Sequence, residues 1–382
     1  MLEPQGMIIE WQTECSILNM ISSTQTTRRS TNAVKRAAIK HEQVIKTLAR
    51  RGYHLEKKLG SGGFGAVHEG VCDQYSQRVA IKVIEFSKNK QGEVRSNELK
   101  DFDAEVEAMG VAKGSDYVVD LKSAFKVTNA EKGIIVMELG DGTDLDRYLK
   151  SRGRKLPKKE ALWIGLCIAR GISDLHKKDI VHRDLKEGNI VLFKDKAGDI
   201  EKVKIVDFGM AAKHGEHEGV GGTLHFMSDA RIRDFHRVND GPTPPVDKAD
   251  DIFAFGCIML ELLGGKEEFS AWNRNRRDFR ENGTNEPEYN PLKFPTRIRK
   301  AYKKSLIDLL QRCLDQDPTQ RPSIEELEAE MENTTTTLSA RQSQKYKVRR
   351  PKRKMIKKIS DKNAFPIALR LRRRRVPRGV KK

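Results

Sequence analysis

Cysteines and aromatic residues are scarce in this sequence, and long apolar runs are missing. Its 382 residues include five cysteines, without a C-x-x-C pair or a histidine spacing suited to zinc. This excludes a dense disulfide framework and a compact zinc site, so we expect reduced, buried thiols. Aromatic residues make up 6% of the chain. No apolar stretch is long enough to cross a bilayer, so we expect no transmembrane segment.

A leader sequence is also not evident at the start of the chain. Residues 1–20 contain Glu3, Glu10 and Glu14, and no basic region precedes an apolar core. Mitochondrial transit peptides are poor in acids, and secretory signals begin with a basic region. We therefore expect this protein in the nucleus and/or the cytoplasm.

The net charge of +19 is concentrated at one end. Residues 333–382 contain 19 Lys and Arg residues but a single acid, Asp361, whereas the rest of the chain is close to neutral. The runs 349–354 and 370–375 are typical of nuclear import signals. Binding of the tail to nucleic acid or another polyanion, an autoinhibitory role and an inert solvated tail remain as alternatives.

Three regions follow from composition. Residues 1–52 form a polar extension, expected to be partly disordered, with a helix over 32–50. Residues 53–332 show globular patterning, and 333–382 form a basic tail that we expect to be disordered. Within the middle region, short strands dominate up to residue 137 and helices dominate after residue 140. This order predicts an α+β fold with a small β-rich N-lobe (53–137), a hinge (138–140) and a larger, mainly helical C-lobe (141–332), with a ligand cleft between the lobes.

A glycine-rich string lies near the start of the middle region. It fits G-x-G-x-x-G and consists of Gly60, Ser61, Gly62, Gly63, Phe64 and Gly65. Glycines let backbone N–H groups approach phosphate oxygens closely. In dinucleotide-binding folds the same pattern opens a helix, but here strand-like segments follow it. The context predicts a hairpin that covers a phosphate.

Lys82 lies in an apolar strand, in the string Val-Ala-Ile-Lys. A buried lysine is costly unless an anion accompanies it. Nucleotide phosphates would supply one anion, and an acid on the next helix would supply another. Glu105 is the predicted acid because Met109, four residues later, suits the inward face, and Glu107 is the alternative.

Two later strings carry the most specific signal. Residues 182–189 read His-Arg-Asp-Leu-Lys-Glu-Gly-Asn, and residues 207–209 read Asp-Phe-Gly. With the glycine-rich string and Lys82, in this order, the sequence resembles the eukaryotic protein kinase superfamily over about residues 53–332. Lys186 at its position resembles the Ser/Thr type.

The resemblance implies an ATP-dependent kinase that uses Mg²⁺ and acts on protein substrates. Asp184 would orient the acceptor hydroxyl and take its proton, and Lys186 would contact the γ-phosphate. Asn189 and Asp207 would hold Mg²⁺, which prefers oxygen ligands. Asp251 would anchor the catalytic loop. The remaining residues expected around the nucleotide are Val67, Ala80, Met137 as gatekeeper, Glu138 and Leu139 in the hinge, Asp144 at the ribose, and Val191.

The sequence departs from the kinase pattern at two places. The Ala-Pro-Glu motif is replaced by Ser-Asp-Ala at 228–230, so the usual acidic partner of Arg321 is missing unless Asp229 serves instead. The activation segment, which ends at this motif, contains no Ser, Thr or Tyr over residues 210–222. Arg183 would ordinarily bind a phosphorylated residue there. We therefore expect constitutive activity or control by another element. Glu216 or Glu218 could replace the phosphate, although both fit solvated loop acids better.

A rival interpretation is a pseudokinase or nucleotide-binding scaffold, which the altered Ala-Pro-Glu motif favours. It is weakened because Lys82, Asp184 and Asp207 are all present. Asp144 also suggests a substrate preference for basic residues before the acceptor, whereas Gly188 lacks the second acid that often accompanies this preference.

Overall fold

A five-stranded antiparallel sheet forms the first half of the folded region. The computed structural model describes residues 28–62, 65–140, 143–237, 243–284 and 292–340. The strand order is β1-β2-β3-β5-β4. The strands are β1 (Tyr53–Gly62), β2 (Gly65–Cys72), β3 (Gln77–Glu85), β4 (Leu121–Val127) and β5 (Lys132–Glu138).

Alternation along the central strands gives the sheet two different faces. Val79 and Ile81 of β3, with Ile134 and Val136 of β5, form one apolar cluster. The residues between them point to the other face, where Ala80, Ile135 and Met137 belong to a second cluster. Both faces are buried, so each of them must be covered by another element.

Helix α1 (Arg28–Arg50) covers the first face, and helix α2 (Ser96–Ala112) packs within the second cluster. Val44 and Leu48 of α1 are completely or nearly completely buried against the sheet. We expected residues 1–52 to be a polar extension outside the folded domain, but helix α1 belongs to the lobe. The physical reason is that an apolar sheet face exposed to water would be unfavourable.

The second half of the folded region is mainly helical. The helices are α3 (Leu145–Ser151), α4 (Lys158–His176), α5 (Asp229–His236), α6 (Lys248–Leu262), α7 (Lys266–Asn275), α8 (Arg277–Asn282), α9 (Thr296–Ala301), α10 (Lys304–Cys313) and α11 (Ile324–Ala340). Helices α4 and α6 are the most deeply buried. Short strand pairs β6 (Ile180–Val181) with β9 (Ala212–Lys213), and β7 (Ile190–Lys194) with β8 (Ile200–Ile205), lie beside them. The expected α+β architecture is confirmed.

Helix α11 corrects the expected start of the basic tail. We placed this boundary at residue 333, where a run of threonines begins, but the helix continues to Ala340. The hydroxyl of Thr335 donates to the carbonyl of Met331 at 2.7 Å, and that of Thr334 lies 3.2 Å from Glu330 Oε1. These bonds satisfy the hydroxyls inside the helix, so both threonines can be buried. The basic runs at 349–354 and 370–375 lie outside the described residues.

The cysteines and the hydrophobic helices agree with the expectations from composition. Cys72, Cys167, Cys257 and Cys313 are free and buried, and burial raises the pKa of the Cys167 and Cys313 thiols to about 12. Such thiols are poor nucleophiles at neutral pH. Within the described ranges, every helix is too short or too polar to cross a membrane.

Candidate active site

The glycine-rich string forms the turn between β1 and β2. Gly62 pairs with Gly65 across the hairpin, while Gly63 and Phe64 lie outside the described residues. A Cβ atom at Gly60 or Gly62 would meet no described atom within 4 Å, so packing does not require glycine there. Gly65 is different, because its φ is +121° and a Cβ atom would lie 2.3 Å from the Val83 carbonyl oxygen. Gly60 and Gly62 thus leave open space for a ligand.

Lys82 joins two acids from different parts of the chain. Its Nζ atom lies 2.6 Å from Glu105 Oε1 on α2 and 2.8 Å from Asp207 Oδ1. Burial alone would lower the pKa of Lys82, but Glu105 and Asp207 together raise it above its ordinary value. Burial opposes ionisation of Asp207 as well, yet Lys82 holds the pKa of that carboxyl below its usual range. Glu107, the alternative partner, is exposed and pairs with Lys213.

Apolar side chains line the space between the hinge and the β7 strand. Ala80 and Met137 are opposite each other in β3 and β5, and both are buried. Val67 packs against the same cluster from β2, as does Leu139 from the hinge. Val191 approaches the hinge closely, since a Cβ on Gly140 would lie 2.8 Å from its Cγ1 atom. These side chains can enclose a flat, apolar ligand ring.

The side chain of the hinge acid Glu138 accepts hydrogen bonds from two donors. Its Oε1 atom accepts hydrogen bonds from Lys204 Nζ at 2.5 Å and from the Asp120 N–H at 2.7 Å. Lys204 is buried and also donates to the Val118 carbonyl. Oε1 of Glu138 is therefore engaged by two donors outside the nucleotide.

Asp184 is the centre of a polar cluster on the loop after β6. Lys186 Nζ donates to its Oδ2 atom at 2.7 Å, and Asn189 Nδ2 donates to the same oxygen at 3.0 Å. Thr223 Oγ1 donates to Oδ1 at 2.7 Å and accepts from Lys186 at 2.8 Å. Sequence reasoning missed Thr223 as a site residue, and the only signal for it is its place after two glycines.

Asp251 on α6 holds the same loop from below. Its two carboxylate oxygens accept the N–H groups of His182 at 2.8 Å and Arg183 at 2.9 Å. His176 is a second partner, with Nε2 at 3.0 Å. Burial alone would raise the pKa of Asp251, but these bonds and the two histidines lower it. A fully buried carboxylate with this many donors fixes the backbone around Asp184.

Backbone strain occurs at two positions in the site. Arg183 and Asp207 have φ values of +66° and +67°, in the left-handed region that non-glycine residues rarely adopt. Both are held by hydrogen bonds from neighbouring elements, and Phe208 packs edge-on to His182 with ring centroids 5.1 Å apart. Strain at such positions usually persists because the surrounding structure holds it.

Asn189 and Asp207 fit a divalent cation held together with phosphates. The Asn189 amide nitrogen is used by the side chain and the carbonyl of Asp184, which leaves its oxygen available. Asp207 uses Oδ1 for Lys82 and retains Oδ2. The described residues contain no group of three or more His, Cys, Asp or Glu side chains that could hold a metal ion. Two protein oxygens plus phosphate and water suit Mg²⁺ rather than a metal with a full protein cage.

Asp144 begins helix α3 as its N-cap. Its Oδ1 atom accepts the Arg147 N–H at 2.9 Å, and its Oδ2 atom lies 3.3 Å from Arg147 Nε. An isolated backbone bridge joins Asp144 to Val191, so it does lie at the mouth of the cleft. Its carboxylate is engaged by its own helix, and the preference for basic substrates stays a prediction.

The end of the activation segment corrects one expectation. Asp229 does not pair with Arg321 but with Arg276, which lies between α7 and α8. Arg321 donates instead to the carbonyls of Ala249, Asp315 and Gln316 at 2.8–3.2 Å. Its Nη1 atom also lies 3.9 Å from Asp250. The buried guanidinium therefore keeps polar partners without the missing glutamate.

Arg183 also has a partner that the sequence did not indicate. Its guanidinium donates to the Gly219 carbonyl, while Glu216 Oε2 accepts the Lys213 N–H at 3.3 Å. Burial lowers the pKa of Arg183 and nearby Arg231 lowers it further, whereas Glu218 acts in the opposite direction. A backbone carbonyl thus accepts one hydrogen bond from the guanidinium that we expected to face a phosphate, Glu216 or Glu218.

Comparison with known proteins gives a family match. Residues 53–331 match the family described as the protein kinase domain. The dual specificity protein kinase shkE of Dictyostelium discoideum is 32% identical over 289 residues, which is 73% of this chain and 36% of that protein. Serine/threonine-protein kinase 33 of Bos taurus is 32% identical over 228 residues, covering 57% of this chain and 43% of that protein.

A plant relative is similar at the same level. Serine/threonine-protein kinase STY46 of Arabidopsis thaliana is 30% identical over 276 residues, or 71% of this chain and 42% of that protein. This chain therefore spans less than half the length of each of these three relatives. The similarity concerns the folded region described above.

Proposed function

Since this chain belongs to the eukaryotic protein kinase superfamily, we propose that it is an active serine/threonine kinase. It transfers the γ-phosphate of Mg-ATP to Ser or Thr hydroxyls of protein substrates. The observation that carries this proposal is the arrangement around Asp184, whose carboxylate is bound by Lys186, Asn189 and Thr223. Lys82, Glu105 and Asp207 complete the set across the cleft.

Each residue has a role that its contacts support. Asp184 orients the acceptor hydroxyl and receives its proton, because its oxygens are fixed by three neighbours. Lys186 and Lys82 bring positive charge to opposite sides of the transferred phosphoryl group.

Asn189 and Asp207 hold Mg²⁺, which when bound neutralises phosphate charge. Ala80, Val67, Met137 and Val191 exclude water from the adenine, while the hinge backbone at 138–140 orients it.

The basic tail belongs to this proposal as a second feature. We propose that residues 333–382 carry a nuclear import signal, because their positive charge is concentrated in two short runs. A reporter protein fused to 341–382 should accumulate in nuclei. A reporter that stays evenly distributed would leave polyanion binding or an inert tail.

The test of catalysis is transfer of labelled γ-phosphate from Mg-ATP to histone H1, with phosphoamino acid analysis of the product. Asp184→Asn should reduce transfer by about 10³-fold or more, because a general base and its charge are lost. Asp103→Asn is the control, since Asp103 is exposed on α2 and pairs only at the surface with Lys126. It should retain activity.

The outcomes separate the proposal from its rival. Phosphoserine and phosphothreonine, lost in the Asp184 variant, would support the proposal. Transfer that survives the Asp184→Asn substitution would contradict the role of this residue. Binding of ATP without transfer to any of several acceptor proteins would favour a nucleotide-binding scaffold.

A further inference from the structure

Arg276 is one of the most deeply buried cations among the described residues of the helical lobe. Its side chain is 1% exposed, and it lies at the junction of α7 and α8. Neighbouring Arg274 and Arg277 are both exposed. Burying a guanidinium is unfavourable unless its donors are satisfied, so its partners show why it lies there.

These partners belong to the end of the activation segment. Arg276 Nη2 donates to the carbonyls of Met227 at 2.7 Å and Leu224 at 3.2 Å, and Nη1 donates to the carboxylate of Asp229. One side chain therefore holds three residues within a six-residue stretch. Planar donors spread over a fork are suited to such simultaneous contacts, which a lysine cannot reproduce.

The guanidinium is itself held by aromatic rings. Its Cζ atom lies 3.4 Å from the centre of the Trp272 ring. Trp272 in turn packs on Phe253 of α6 and on Phe269, with ring centroids 6.1 and 6.2 Å apart. Burial lowers the pKa of Arg276 to about 10, against the effect of Asp229, so it stays cationic at neutral pH. The Arg276 side chain is thus charged, and Trp272 connects it to the buried helix α6.

The segment that Arg276 holds begins next to Asp184 and Lys186. We call residues 223–227 the acceptor loop. At its first residue, Thr223 is bonded to Asp184 and Lys186, and its last residue, Met227, is bonded to Arg276. Between them lies a short 3₁₀ turn, in which the Phe226 N–H donates to the Thr223 carbonyl at 2.9 Å. Because Thr223 is bonded to Asp184, a protein acceptor whose hydroxyl reaches Asp184 lies next to this loop.

We infer that Arg276 is a positioning residue for the protein acceptor. With Asp229 it fixes the acceptor loop in the place where it can receive substrate, and it does so from α7 and α8 without a phosphorylated residue. This assignment rests on the proposed kinase activity. It also accounts for the altered Ala-Pro-Glu motif, because the acid at 229 forms an ion pair with Arg276 whereas Arg321 is satisfied by carbonyls.

The experiment compares Arg276→Met with Arg274→Met in the full chain. Arg274→Met is the matched control, because it removes an exposed arginine two residues away. KM for histone H1, KM for ATP and kcat are measured for each protein, together with hydrogen exchange of the Phe226 and Met227 amides. A third variant, Asp229→Asn, keeps Arg276 but removes its carboxylate partner, and it serves if Arg276→Met does not fold.

The inference predicts a specific pattern. KM for histone H1 should rise by between about 10-fold and about 100-fold in Arg276→Met, because the acceptor platform is displaced. KM for ATP should stay within about 2-fold, and exchange at 226 and 227 should become faster. Asp229→Asn should show the same pattern more weakly, Asp229→Glu should restore most of the affinity, and Arg274→Met should match the unmodified chain.

Other results would overturn it. Unchanged KM for histone H1 in a folded Arg276→Met protein would show that the loop does not depend on Arg276. A loss of kcat with equal changes in both KM values would show that Arg276 supports stability alone. If the unmodified chain transfers no phosphate, the proposed function fails separately. Hydrogen exchange then tests whether Arg276 fixes the acceptor loop, and unchanged exchange at 226 and 227 rejects that part of the inference.

Discussion

At the scale of single residues, several buried charges among the described residues are matched by specific partners. Lys82, Asp251 and Arg276 each have two or more polar partners at hydrogen-bond distance. Glu187 is an exception within the catalytic loop. It is buried next to Glu261, and its Oε1 atom has no hydrogen-bond partner among the described residues. Burial first and the neighbouring Glu261 carboxylate second raise the pKa of Glu187 to about 8.

The raised pKa of Glu187 predicts a pH dependence of stability. The folded protein keeps the proton that the unfolded chain releases above its ordinary pKa of 4.5, so stability is lost as pH rises from 4.5 to about 8. Glu187→Gln removes this titration. Urea unfolding at pH 5.5 and 7.5 should show the variant gaining relative to the unmodified chain by about 1.4 kcal/mol per pH unit.

The control for this prediction is Glu201→Gln, which changes an exposed glutamate on β8. Its unfolding free energy should follow that of the unmodified chain at both pH values. Parallel curves for Glu187→Gln as well would show that Glu187 is ionised throughout this range, and the prediction would be wrong.

At the scale of secondary-structure elements, α1 is the covering layer of the sheet. Leu48 and Val44 lie on the face formed by Val79, Ile81 and Ile134. A second link joins α1 to the rest of the lobe, because Lys40 pairs with Glu131, which also binds Lys88 at 2.6 Å. The helix therefore connects the sheet with the segment that leads into α2, which carries Glu105.

The packing of α1 predicts the cost of truncating its side chains. Leu48→Ala should lower the free energy of unfolding by about 2 to 5 kcal/mol, because Leu48 is fully buried and its removal leaves a cavity. Ile45→Ala is the control on the same helix, where Ile45 is 38% exposed, and should cost about 0.5 kcal/mol. Denaturant unfolding measures both. Equal small effects would mean that α1 is not part of the folded lobe.

At the scale of the whole molecule, the activation segment shows how the site between the two lobes could be controlled. Residues 210–222 offer no hydroxyl group for phosphorylation. Arg183, which would bind such a phosphate, donates to the Gly219 carbonyl. Thr223 is the next hydroxyl along the chain, and it is already bonded to Asp184 and Lys186.

This arrangement predicts that the unphosphorylated protein is active. Phosphatase treatment should leave transfer to histone H1 within about 2-fold of the untreated protein. Thr223→Asp should abolish transfer, because a second carboxylate beside Asp184 repels the phosphates. Thr223→Ser keeps the hydroxyl and should retain activity. Activity that disappears on phosphatase treatment and returns on phosphorylation at Thr223 would contradict the prediction.

The sequence by itself determined the fold class and the order of the site residues, because both depend on local signals. Period-2 alternation and glycine turns indicate the strands, and the strings at 60–65, 182–189 and 207–209 place chemical groups at short spacings. The pairing of Lys82 with Glu105 was also predictable, since a buried lysine requires an acid and one face of α2 offers it.

Only the tertiary structure decided which distant side chains satisfy the remaining buried charges. Asp229 and Arg276 are 47 residues apart and Thr223 and Asp184 are 39 apart, so no local pattern in the sequence joins them. The same holds for α1, whose role depends on an apolar sheet face that exists only after five strands have assembled. Long-range partners are set by packing of the whole lobe, and a single sequence does not show which distant residues pair.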